Sequence, residues 1–406
     1  MNPDRQHTAP SIGITIILAC LAMFGPFSID TVFPAFQRIG DQFGVDTAGL
    51  QQITSVYLLS FAVMSLLHGP ISDAVGRKPV IIIGTLLYAA ASIGCALSLN
   101  LPMLLVFRAC QGFAAGAGQI ISRTMIRDLY EGPAAQKLMA QVMMIFSVAP
   151  AVAPIIGGWL LRIGDWPIIF WFLAAFGVVM SLVTLFGLPE THPPEARTAL
   201  RVGVLLRNLV EVARHGAFLR LAFAGSMGFA AQFLYIAAAP IFVVELLGKG
   251  EQDFWMFFVP MIAGLMLGAF LNSRLASAVD GMKLATIGFC LAIAAGIGNV
   301  VVSSLPGAPV LPWAVIGPSI VAIATALSFP VLQLAMLDIF PQQRGSAASM
   351  QSFVTLVVNA VLAGVVAPLV ASSVLTLAVT SLGFSVLGIL LWSWHRIAGR
   401  RMVSTP

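Results

Sequence analysis

Two ionisable side chains stand deep within long apolar runs of this 406-residue chain: Asp30, in SIDTVFPAF, and Arg108, in RACQGFAAGAGQIISRTMIRD. In hydrocarbon a charged group costs several kcal/mol unless it faces protein or water, so such groups mark where chemistry is to be sought. Asp30 is the only acidic residue clearly inside an apolar run. Protonating it removes the burial penalty and a proton gradient can set its state, which is how a carboxylate couples transport to protons. The alternative is a helix-end carboxylate already bathed in water. Arg108 opens a polar stripe. At about 100° per residue, Gln111, Gln119, Ser122 and Arg123 all fall within about 60° of its direction, and a stripe of that kind is expected to face a cavity. Arg123, near the inner end, either belongs to the stripe or snorkels to the interface. Asp30 and Arg108 both fall in the outer halves of their runs, and a direct pairing between them is left open.

Other side chains would line such a cavity. Phe27 flanks Asp30. Tyr57, Phe61 and Met64 share one helical face, as do Gln232 with Tyr235, and Ser352 and Thr355 with Asn359. Aromatics and methionine with few charges suit bulky, moderately apolar molecules, although each residue alone also reads as packing. Glu245 is a second carboxylate that could contribute to coupling. No G-x-x-x-x-G-K-[ST] sequence occurs, so ATP is not expected as the direct energy source and no cofactor is implied. His7, His68, His192, His215 and His395 are scattered, and no metal-ligand or nucleophile-and-base constellation points to an enzyme. The four cysteines lie in apolar runs without paired spacing and read as packing residues.

Conformational motifs come next. HGPISDAVGRKPV places Gly69, Asp73, Gly76, Arg77 and Lys78 between two apolar runs. The glycines permit close helix approach and a tight turn, and Asp73 can cap or pair with nearby basic groups. The alternative reading is that Arg77 and Lys78 are only topology charges. The segment resembles the loop signature G-x-x-x-D-x-x-G-R-[KR] of the major facilitator superfamily. APAVAPIIGGW carries Pro150, Pro154, Gly157 and Gly158, which would kink or swivel a helix. It resembles the antiporter motif G-P-x-x-G-G of drug-exporting facilitators, with Ala153 in place of one glycine. The glycines Gly112, Gly116, Gly118, Gly264 and Gly268 offer small surfaces for helix packing.

Together with R-x-x-Q-G, SRTMIRDLYEG and YIAAAPIFVVELLG, these features look like the bicyclomycin and chloramphenicol resistance (Bcr/CflA) branch of drug:proton antiporters. The resemblance implies an all-α major facilitator fold of two six-helix bundles, each of inverted three-helix repeats, with substrate bound between the bundles near mid-membrane and moved by rocking. It also implies a bacterial inner-membrane exporter in which Asp30 takes the coupling proton and Arg108 organises the site. A relative's second membrane carboxylate corresponds here to Ala22, which favours neutral amphenicol-like or zwitterionic compounds over cationic drugs. The rival readings are a proton symporter or facilitator for a small polar metabolite, and a passive pore. The second repeat's loop, NSRLASAVDGMK, keeps Gly281 and Lys283 without the aspartate spacing, so its copy of the motif is degenerate.

Membrane helices must position these residues. The chain is 59% hydrophobic and 9% charged with a mean hydropathy of +0.97, far from the roughly 25% charged of a soluble domain. Runs long enough for a ~30 Å core lie near 11–36, 50–72, 79–98, 101–125, 137–161, 167–188, 217–244, 253–275, 283–303, 311–335, 346–371 and 374–396. They divide into bundles at 1–188 and 217–406. The Pro- and Arg-rich stretch 189–216 between them reads as a cytoplasmic linker with a short helix over 200–213. With both termini cytoplasmic, Lys and Arg gather inside and only Arg38, Arg162 and Lys249 fall outside. The +5 net charge therefore reflects topology and not nucleic-acid binding. MNPDRQHTAP is too short and weakly basic for a cleaved signal, so the first span is expected to be retained. The expected partners are a drug-like small molecule, protons and the bilayer, with the chain acting as a monomer.

Overall fold

A computed structural model describes residues 11–130, 132–197, 200–275, 278–307 and 310–403. The opening decapeptide and the side chains of Arg400 and Arg401 lie outside the described residues. Among the described residues ten helices are long and apolar enough to cross a membrane, and two bent helix pairs make up to twelve. Large apolar side chains point outward along them, among them Ile16, Leu87, Phe186 and Leu369, as lipid-facing surfaces require.

The first span is broken, not one helix as its apolar length suggests. It comprises α1 (Ile12–Ala22), α2 (Phe24–Asp30), a 3-10 turn at Phe33–Ala35 and α3 (Phe36–Phe43), with a 45° bend after α1. The second comprises α4 (Thr47–Ser65) and α5 (His68–Val75), bent by 48°. Prolines account for these breaks. Pro26, Pro34 and Pro70 lack the N–H that would bond the carbonyls of Ala22, Asp30 and Leu66, and the helices end at or beside those residues. Asp30 thus closes a seven-residue helix, where the sequence places it inside a continuous one.

The remaining helices of the first half are α6 (Arg77–Ala96), α7 (Leu101–Leu129), α8 (Gly132–Leu160) and α9 (Pro167–Gly187). Helix α8 runs through Pro150 and Pro154. In the second half, α10 (Val202–Arg214) precedes α11 (Gly216–Ala237), a π-helical turn at Ile241–Leu246 just past Pro240, α12 (Trp255–Leu275), α13 (Gly281–Ser303) and α14 (Trp313–Ile339). Then come α15 (Arg344–Val361), a second π turn at Leu362–Val366, α16 (Ala367–Val370) and α17 (Val374–Val403). Glu245 is exposed on the first π turn.

The chain forms two compact units, Met1–Val202 and Gly203–Pro406. The stretch read as a cytoplasmic linker has residues in both. Its first residues dock on the first unit through Glu190, while Val212 of α10 joins a core of Phe218, Leu221, Phe289, Leu332 and Trp392 in the second. The units are built alike. In the first, α6 packs on α7 and α9, and α4 packs on α7; in the second, α13 packs on α14 and α17, and α12 packs on α14.

Small residues set these contacts. A Cβ at Gly112 would strike the Tyr57 carbonyl, and Cβ atoms at Gly264 and Gly268 would strike the Ser319 and Ile323 carbonyls. Gly69 is different: nothing lies near the place its Cβ would occupy, so close helix approach is not its role. Gly264→Ala is expected to lower stability by about 1–3 kcal/mol through overpacking. Gly383→Ala, on an exposed face of α17 with open space around it, is expected to cause no loss. Thermal unfolding of the two variants in detergent checks both.

Candidate functional site

The polar centre of the first unit is built around Arg108, which is 0% exposed. Its Nε donates to the Ile53 carbonyl of α4 at 3.1 Å, and its Nη1 donates to the Ser28 carbonyl of α2 and to Gln111 Oε1, both at 2.9 Å. The guanidinium also lies over the Tyr57 ring, 4.6 Å from its centre. Two residues past Ser28 stands Asp30, 3% exposed. Among the described residues its carboxylate has no hydrogen-bond or ion-pair partner. The structure therefore answers the question the sequence left open: Arg108 holds the backbone beside Asp30 and does not pair with its carboxylate. The Tyr57 hydroxyl, in electrostatic range of Asp30, Ser28 and Arg108, is buried without a hydrogen bond of normal geometry.

Sequence reasoning missed several members of this cluster. Tyr88 shares a 2.6 Å hydrogen bond with Ser28 Oγ, and Ser92 Oγ accepts from Gln111 Nε2 at 2.6 Å. Cys95, read as a packing residue, lies 3.6 Å from Gln111 Oε1. Consequently Arg108 and Gln111 are enclosed by protein, and the expectation that the whole α7 stripe faces a cavity fails for them. A buried guanidinium has five N–H groups to satisfy, and neighbouring carbonyls are the acceptors in reach. The inner half of the stripe differs. Gln119 Oε1 lies against Gly25 of α2 and is unbonded, while Arg123 lies over Phe146 of α8 at 5.5 Å.

Phe27 packs with Phe172 and Phe176 of α9, and Tyr57 meets Phe61 edge-on. Met64, unlike Tyr57, lines an apolar groove of about 620 Å³ with His68 and residues of α6 and α7, Phe113 and Ala117 among them. In the second unit Gln232, Tyr235 and Asn359 are buried. Asn299 Nδ2 donates to the Tyr235 hydroxyl at 2.7 Å, whereas Gln232 Oε1 and Asn359 Oδ1 have no partner. Thr355 and Ser226 hydroxyls meet at 3.1 Å. Among the described residues no three His, Cys, Asp or Glu side chains gather as metal ligands.

Helix α8 touches the site through its motif. A Cβ on Gly157 would strike the Thr31 carbonyl, one residue past Asp30, and would crowd Pro34. Pro154 and Gly158 are buried nearby in sequence, and Pro150 is half-buried.

The α5–α6 joint forms a second polar centre. Gly76 takes φ +113°, a conformation that favours glycine. Arg77, only 6% exposed, donates to Ser72 Oγ at 2.6 Å, to the Asp73 carboxylate and to Asp128 Oδ2 at 3.0 Å. Its role is thus more than topology. Glu190, which sequence reasoning missed, accepts from the Arg77 and Lys78 amides at 3.1 and 3.2 Å and so caps α6. Thr191 donates to Asp128 at 3.0 Å, and a His192 ring nitrogen lies 3.1 Å from the Asp73 carbonyl. The equivalent loop of the second unit has Asp280 as a simple cap on the Lys283 amide at 3.2 Å.

Comparison with known proteins places this geometry in context. The profile described as Major Facilitator Superfamily matches residues 17–368. A bicyclomycin resistance protein homolog of Haemophilus influenzae is 28% identical over 357 residues, covering 87% of this chain and 88% of the relative. Multidrug resistance protein D of Escherichia coli is 28% identical over 267 residues, covering 65% and 66%. Among solved structures, a bacterial homologue of the human lysosomal transporter Spinster is similar with a TM-score of 0.70 at 17% identity, covering 97% of this chain and 98% of that one. A D-xylose–proton symporter is similar with a TM-score of 0.70 at 14% identity, covering 94% and 96%.

Two predictions follow from the hydrogen bonds. Arg108→Lys removes the planar fork that reaches Ser28, Ile53 and Gln111 together, and is expected to cost about 3 kcal/mol in thermal unfolding. Arg77→Ala leaves Asp73 and Asp128 without their shared cation and is expected to cost about 3–5 kcal/mol, whereas Lys78→Ala stays within about 0.5 kcal/mol. Urea or thermal melts of the purified variants distinguish the two neighbours.

Proposed function

The chain is a multi-pass membrane transporter belonging to the Major Facilitator Superfamily, and we propose that it is a proton-coupled drug exporter of a bacterial inner membrane with both termini cytoplasmic. The observation that carries this reading is the state of Asp30: buried, at a helix break, and without a partner while Arg108 is occupied by backbone carbonyls. A carboxylate fixed in a salt bridge would be held ionised, whereas an unpaired one is open to a proton. Names of the relatives, a bicyclomycin resistance homolog and a multidrug resistance protein, support drug export.

The local geometry suggests how charge becomes motion. Ser28 is fixed by Arg108 and Tyr88, and Thr31 bears on Gly157 of α8. Between these two anchors lies the segment that Pro34 loosens. Adding or removing a proton at Asp30 changes the charge at that hinge, and α8 feels the change through Gly157. Drug binds with Asp30 deprotonated and leaves outward, and an outside proton then neutralises Asp30 for the return. Substrates are amphenicol-like or other moderately apolar antibiotics. Ala22, buried one helical segment earlier, supplies no second carboxylate for a cationic drug.

A proton-coupled symporter or facilitator for a small polar metabolite uses the same fold, as the similarity to a D-xylose–proton symporter illustrates. Gly157 pressed against the Asp30 hinge and the names of the relatives favour export. Proteoliposomes with an imposed pH gradient test the choice, with chloramphenicol-type compounds as probes. The expected result is outward drug movement coupled to counter-flow of protons in the unmodified protein, with coupling abolished and drug binding kept in Asp30→Asn. Inward co-movement with protons, or drug flux indifferent to the gradient, contradicts it.

A further inference from the structure

Two arginines on α7 have opposite circumstances. Arg108 places Nε and Nη1 on three acceptors and leaves only its buried Nη2 without one. Arg123 places none: among the described residues it has neither a hydrogen bond nor an ion pair, its Nε is buried and unbonded, and its guanidinium lies over the face of Phe146. Asp128, the nearest acid on α7, is engaged by Arg77 and Thr191. Four residues before Arg123, Gln119 presents an amide oxygen that is also buried and unbonded, and Ser122 is turned back on the Gln119 carbonyl. A part-buried guanidinium without a counter-ion is costly, and its planar fork matches a carboxylate with two parallel hydrogen bonds. Phe146 supplies the flat support on which such a fork is held.

We propose that Arg123 is the substrate-selecting residue of this transporter and that its preferred cargo carries an acidic group, a carboxylate or an equally acidic function, on an otherwise apolar body. The proposal rests on the exporter reading and narrows it from moderately apolar drugs in general to anionic or zwitterionic ones. Arg123 holds the acid by its fork, and the Gln119 amide turns its NH₂ or its oxygen to a neighbouring polar group of the cargo. Cationic drugs without an acid are disfavoured, since they would meet the Arg123 guanidinium with no acid of their own to pair with it.

Matched probe pairs test this: chloramphenicol against its hemisuccinate, and a fluoroquinolone carboxylic acid against its methyl ester. Export of all four compounds is measured in proteoliposomes for the unmodified protein, Arg123→Lys and Arg123→Gln. The expected result is a preference for the acid in each pair of about tenfold or more, the size of a charge-assisted hydrogen bond. That preference collapses in Arg123→Gln and is partly kept in Arg123→Lys. Export without acid preference in the unmodified protein overturns the proposal and leaves the exporter reading standing. Equal loss of both members of a pair in Arg123→Gln also overturns it, because a packing role or a hold on lipid phosphate affects acid and ester alike. If no compound moves with the unmodified protein, the exporter reading itself fails and the proposal falls with it.

Discussion

The first unit depends on where one guanidinium places its hydrogen bonds. Arg108 is wholly enclosed, and through Nε and Nη1 it ties the Ser28 carbonyl, the Ile53 carbonyl and Gln111 to one point, while its Nη2 is buried without a partner. Two of these acceptors are main chain, so the tie is to helices α2 and α4 themselves and not to replaceable side chains. The consequence falls on Asp30. With the arginine occupied, the carboxylate two residues away is positioned by its neighbours yet left without a partner, which is the condition a reversible proton site requires. A direct Arg108–Asp30 pair would give a stronger contact and a poorer switch.

Both units use the same packing plan, and each clamps its first span to its third by a buried polar contact, Ser28 with Tyr88 in one and Tyr235 with Asn299 in the other. The chemistry is nonetheless unequal. Among the described residues the wholly enclosed charged side chains, Arg108, Asp30 and Arg77, lie in the first unit, while in the second the wholly enclosed polar side chains are neutral and Arg220 is only part-buried. The loops follow the same division. Arg77 gathers Ser72, Asp73 and Asp128 with Glu190 as cap, whereas the second unit's loop needs only Asp280 at a helix start. The charged polar centres are thus concentrated in one half of a duplicated architecture.

Much of this was legible in the sequence because hydrocarbon imposes long apolar runs and makes every charge within them conspicuous. The twelve runs, Asp30, Arg108 and the loop cluster all stand out for that reason. What was not legible depends on contacts between distant positions made by ordinary residues. Tyr88 and Ser92 look like any hydroxyl in an apolar helix, and Glu190 looks like a solvated carboxylate beside a proline. The prolines at 26, 34 and 70 did carry a readable signal: each deprives the carbonyl four residues earlier of its donor, and the helix breaks follow. Helical periodicity grouped Met64 with Tyr57 and Phe61, yet Met64 lines a groove with residues of α5, α6 and α7 in which neither of those aromatics takes part. Periodicity also grouped Arg108 with Arg123 on one stripe, yet a shared face says nothing of which N–H groups find acceptors.

The central claim is that Asp30 is a titrating carboxyl group held beside Arg108 without being neutralised by it. Infrared difference spectroscopy of the reconstituted protein across a pH titration addresses this without any substrate, by following the C=O stretch of protonated carboxyl groups. The account predicts a pH-dependent carboxyl band that is absent from Asp30→Asn and present in the unmodified protein. A spectrum in which the two proteins titrate identically would contradict it and would mean that the proton is carried elsewhere.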